Sequence, residues 1–151
     1  MRRIAIVPPL SVVAGAVSMV LALPCQAAGP LSYHTLTPCR VADTRPSNFL
    51  ANGEVRPFTV HGVCGVPSTA KAVALNVTAV SPTGEGHLTL FASGTSVPTV
   101  STVNFPAGVS ALANGAIVSL STDATNDLSV AAVVAGGGTV HVVLDASGYF
   151  E

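Results

Sequence analysis

Charge is scarce in this chain, and tryptophan is absent. Only 9% of its 151 residues are Asp, Glu, Lys or Arg, against roughly 25% in typical soluble domains. A surface so poor in charge has no basic stripe to neutralise phosphates, which argues against a nucleic-acid partner. It also argues against electrostatic attachment to anionic lipid. Without tryptophan the usual platform for stacking on sugars is missing, and Tyr33 and Tyr149 are the aromatic residues with a polar edge. Catalytic spacings are missing too. There is no Gly-x-Ser-x-Gly elbow, and His34, His61, His87 and His141 fall in neither His-x-His nor His-Glu-x-x-His spacing. Glu54 and Glu85 lie in turn-like segments without an evident partner carboxylate. These absences argue against an enzyme and imply no cofactor.

What is present begins with an export signal. Arg2 and Arg3 precede an almost wholly apolar run from Ile4 to Leu23, and Cys25-Gln26-Ala27-Ala28 supplies small residues for cleavage. The expectation is a signal peptide over 1–28 and a mature domain over 29–151. An uncleaved anchor is the rival, but Pro8, Pro9 and Gly15 interrupt the run and no basic stop-transfer cluster follows. A lipoprotein anchored through Cys25 is the third option, and Ala22-Leu23-Pro24 suits it poorly. With the leader set aside, four basic residues face seven acidic ones, a mildly acidic balance. Cys39 and Cys64 remain as an even pair in an oxidising compartment, so they are expected to form a disulfide. Their wide separation and the lack of a Cys-x-x-Cys pattern argue against zinc.

With 14 Gly and 11 Pro, the chain is broken too often for long helices. Eight β-type runs are expected, over 33–42, 55–60, 71–80, 87–92, 99–105, 116–121, 128–134 and 139–144. The clearest is 71–80, where Val73, Leu75, Val77 and Ala79 alternate with Asn76 and Thr78. Asn76-Val77-Thr78 fits a glycosylation sequon, but its mid-strand place favours a sheet role in which Asn76 bonds a neighbouring turn. The segment 47–54 reads as a loop around Asn52-Gly53, Asn114-Gly115 as a turn, and 109–113 as at most a short helical turn. The last run is apolar on both faces, as a central strand would be. Short strands at this spacing predict a single antiparallel β-sandwich, jelly-roll or immunoglobulin-like, of about eight strands.

Two motifs frame this domain, Pro38-Cys39-Arg40-Val41-Ala42-Asp43-Thr44-Arg45 at its start and Leu144-Asp145-Ala146-Ser147-Gly148-Tyr149-Phe150 at its end. Between them lie Cys64-Gly65-Val66-Pro67, the 72–78 run and Thr102-Val103-Asn104-Phe105-Pro106-Ala107-Gly108. The set resembles a β-sandwich module of secreted bacterial proteins, often appended to peptidases or cell-wall hydrolases. The resemblance spans about Leu31 to Glu151 and implies architecture and compartment, not an activity. This chain departs from it at Ser110-Ala111-Leu112-Ala113-Asn114-Gly115, where such modules often carry an Arg-Ala-Asn-Asn-like run.

In so uncharged a chain, Arg40, Asp43, Arg45 and Asp145 stand out. First and last strands of a sandwich are often neighbours, so these residues are expected to meet through bidentate Arg–Asp pairs. One reading is an anion- or glycan-binding site built on two guanidinium forks. The favoured one is a buried lock joining the chain ends, in which case Arg40→Ala abolishes folding. Calcium held by Asp43 and Asp145 is disfavoured by the adjacent arginines and by the lack of a calcium loop. Functionally, the sequence points to a secreted or cell-surface, non-catalytic binding or accessory module for cell-wall or extracellular polysaccharide. The alternative is a structural, self-associating protein whose partner is a second copy or another surface protein. After signal cleavage no membrane contact is expected.

Overall fold

A computed structural model describes residues 29–122 and 125–151, so the expected signal peptide lies outside the described residues. Two antiparallel sheets face each other. The first runs β1 (Tyr33–Asp43), β9 (Thr139–Phe150), β4 (Ala72–Val80), β7 (Ala111–Ser119), with the short β2 (Leu50–Ala51) beside β9. The second runs β3 (Val55–Phe58), β8 (Leu128–Val134), β5 (Gly86–Ala92), β6 (Val103–Phe105). Leaving β2 aside, first pairs with last, second with seventh, third with sixth and fourth with fifth. That is one long antiparallel ribbon rolled over on itself, a jelly roll, which resolves the choice left open by strand spacing.

The core forms where alternation turns apolar side chains inward. Val73, Leu75 and Val77 of β4 and Val140, Val142 and Leu144 of β9 are buried against Leu88, Leu128 and Val130 of the opposite sheet. Val143 is buried on the other face of β9, which lies between β1 and β4 in the middle of its sheet, while Asp145 and Ser147 further along that face stay accessible. Each fully buried Val or Leu contributes roughly 1.5–3 kcal/mol, and these small side chains fill a thin two-layer interior.

Several boundaries differ from the sequence expectation. Residues 109–113 are not a helical turn, because β7 begins at Ala111 and pairs through all nine residues with β4. Asn114-Gly115 is therefore mid-strand, opposite Val77 and Asn76. Pairing with β4 overrides the local turn preference of the dipeptide. The 47–54 loop contains β2, while Asn52-Gly53 does turn, with Gly53 at φ 79°. The 99–105 run shortens to β6. The last strand extends past Leu144 to Phe150, with a register shift opposite Ala74 and Leu75.

Gly86 permits the closest approach in the second sheet. A Cβ there would collide with the Val133 carbonyl. Gly86→Ala must push β5 from β8, with an expected loss of about 2 kcal/mol, measurable as a lower urea midpoint at unchanged slope.

Candidate functional site

The β1–β9 pairing sets Arg40 opposite Asp145, on the outer face of the first sheet. Arg40 Nε donates to Asp145 Oδ1 at 2.8 Å and Nη2 to Oδ2 at 3.3 Å. Its third nitrogen, Nη1, donates to Asp43 Oδ2 at 3.1 Å. Asp43 is gripped again by Arg45, whose Nε donates to Oδ1 at 2.9 Å and Nη2 to Oδ2 at 2.6 Å. The Arg45 backbone N–H adds a bond to Asp43 Oδ1 at 3.0 Å. All four motif residues thus form one chain, Arg45–Asp43–Arg40–Asp145, with no net charge. Hydrogen bonds from the Arg45 side chain and then from its backbone hold the Asp43 carboxyl far below the usual carboxylate range. The Asp145 bond raises the Arg40 guanidinium above its ordinary value.

The four residues meet, but not as a buried lock. The Arg40 side chain is 49% exposed, and Asp43 and Asp145 are 27% and 28% exposed. Water screens pairs at such a surface, so their loss costs little stability. The expectation that Arg40→Ala abolishes folding is corrected on that ground. Thr44, inside the same motif, joins the chain ends instead. It is buried, its N–H donates to Val142 O at 3.0 Å, and its Oγ1 accepts from Val142 N at 2.8 Å. The disulfide Cys39–Cys64 is formed, with Cα atoms 5.7 Å apart, and ties β1 to the loop before β4. Cys64 occupies the left-handed region at φ 57°, followed by Gly65 at φ 81°, in a tight turn closed by Val66 N donating to Val63 O.

The row that begins with Arg40 and Asp145 continues across the sheet to Asn76 of β4 and Gly115 of β7. Asn76 is exposed and bonds no turn. Its Nδ2 reaches Thr78 Oγ1 on the same strand, at 3.4 Å. Arg40, Asp145 and Asn76, with Pro38, Ala146 and Ser147, line an open depression of about 580 Å³. A second shallow area over Ala74, Gly115 and Ile117 adjoins it and shares Ser147. Tyr33 stands on the same face, 4.9 Å from Phe150 between ring centroids, with its hydroxyl on Ser147 O. Tyr149 does not. It turns toward the core and stacks on His34 at 4.9 Å. Sequence reasoning missed Asn76 and Ser147 as neighbours of Arg40. The alternation of the 71–80 run already placed Asn76 on the outer face.

The other flagged residues are committed locally. Glu54 is bonded by Arg56 Nε and Ala51 N–H. His61 lies 3.0 Å from Ala70 O, and His141 lies 3.1 Å from Thr44 O. Glu85 and His87 line a separate depression with Asn52 and Phe105. Among the described residues, no group of three or more His, Cys, Asp and Glu side chains is placed to hold a metal. No helix among them is long and apolar enough to cross a membrane.

No family model matches the chain, and no curated protein matches it. Among solved structures it is similar to the Tobacco streak virus coat protein dimer, at 11% identity and a TM-score of 0.37, over 81% of this chain and 89% of that one. A likeness so distant says nothing about what this chain does.

Proposed function

We propose that the protein is a secreted, non-catalytic module that binds a neutral extracellular or cell-wall polysaccharide on the outer face of its first sheet. The observation that carries this is the exposed row Arg40–Asp145–Asn76, bordered by Ser147. It offers alternating donors and acceptors on a rigid sheet, the pattern that neighbouring sugar hydroxyls satisfy. The Arg40 guanidinium already faces two carboxylates, so the site suits an uncharged ligand better than a free anion. Tyr33 and Phe150 supply an apolar edge at the same face. The disulfide fits an oxidising compartment.

The test is retention of the purified protein on insoluble cell wall and on a panel of neutral polysaccharides. Wild type should be retained, and Arg40→Ala and Asn76→Ala should each weaken retention by about tenfold or more. Both variants should melt close to wild type, because both side chains are exposed. Absence of retention on every polymer, or full retention by both variants, would overturn the reading. A second reading, a structural protein that self-associates, is favoured by one observation: the long uncharged free edge of β7.

A further inference from the structure

Each sheet has two edges, and three of the four are blunted. β1 contains Pro38, Arg40 and Asp43, and its pairing breaks register twice. β3 has only four residues, among them Arg56 and Pro57. β6 has three residues and runs into Pro106. Such breaks, charges, prolines and short lengths are how sheets avoid unwanted pairing. The β7 edge has none of them. It is nine residues long, in unbroken register with β4, and contains neither charge nor proline. Its first half, Ala111–Gly115, is exposed on both faces, and Ile117 is 69% exposed. Among the described residues no strand pairs with its far side.

We propose that β7 pairs antiparallel with β7 of a second copy, about a two-fold axis at Gly115. The strand is its own complement in that register. Ile117 falls opposite Ala113 on the outer face, and Leu112 falls opposite Val118 on the inner one. Large side chains thus meet small or matched ones. With no charge on the strand, pairing desolvates no ion. An isologous pair closes at two copies and builds no fibre. The axis stands perpendicular to the sheet, so both outer faces point the same way. Gly115 also ends the row Arg40–Asp145–Asn76. The dimer therefore joins two such rows end to end, across eight strands and roughly 34 Å. The dimer stands independently of what that face binds, since its test contains no polysaccharide.

Sedimentation equilibrium of the purified protein should give a mass that rises with concentration to twice that of one chain. Ile117→Lys should weaken the association by about 100-fold. The exposure of Ile117 leaves the fold intact, which circular dichroism checks. Gly115→Cys supplies a positive test. Directly opposed residues have Cα atoms about 4.5–5.5 Å apart, within disulfide reach, and a Cβ at Gly115 meets no neighbour within 4 Å. Mild oxidation should cross-link this variant into a covalent dimer and leave wild type uncross-linked. A monomer up to millimolar concentration, a dimer indifferent to Ile117→Lys, or failure of Gly115→Cys to cross-link would each overturn the proposal.

Discussion

Asp127→Ala should cost about 3–5 kcal/mol of folding free energy, as much as truncating a large side chain of the core. Asp127 is 1% exposed, and among the described residues no other charged side chain is buried. Its Oδ2 accepts from the backbone N–H groups of Val60 at 2.8 Å and His61 at 2.6 Å. Truncation strands both donors in a dry interior, where each unsatisfied group costs about 1–3 kcal/mol. The contact is also a clasp between distant segments. It fastens the chain leaving β3 to the start of β8, and Thr59 reinforces it by donating to Asn126 Oδ1 at 2.8 Å. Urea denaturation should show a much lower midpoint at unchanged slope. Asp127→Asn keeps an acceptor oxygen and should lose less than half as much. A loss under about 1 kcal/mol in Asp127→Ala would show that water or backbone movement satisfies the freed donors.

Nothing in the sequence announced this clasp. Asp127 follows a polar stretch, 121–126, where an aspartate reads as a solvated turn residue. Its partners are 66 and 67 residues away, beyond the reach of any local pattern. The meeting of Arg40 with Asp145 was legible, although they are 105 residues apart, because first and last strands of a sandwich tend to adjoin. Their exposure was not, since burial depends on what covers a sheet face and not on register. The strands β4, β5 and β8 were readable because each buries at least one face and must show it as alternation or an apolar run. β7 was misread for the converse reason. Its first half buries neither face, so it carries no period-two signal, and Ala, Leu and Asn-Gly suggested helix and turn. The strand whose pattern is hardest to explain within one copy is the one that a second copy would complete.

Removing the Cys39–Cys64 bond should cost roughly 3 kcal/mol, the value expected for closing a loop over a separation of 25 residues. The consequence should reach the outer face. β1 has no fully buried residue along its length, so its place depends on pairing with β9, on Thr44 and on this bond. Arg40 follows Cys39 directly, and the depression it lines includes the cysteine. The double variant Cys39→Ser/Cys64→Ser should therefore lose polysaccharide retention under conditions where the core is still folded. Peptide mapping without reductant should show the pair linked in the wild-type protein, and two free thiols there would sink the argument. The bond and Asp127 also act on one segment. The chain between β3 and β4 crosses from one sheet to the other, held by Asp127 at His61 and by Cys39 at Cys64. Two restraints three residues apart share the same backbone, so their losses should not add. Once either is cut, the crossover loosens, and cutting the second should cost measurably less than it does alone.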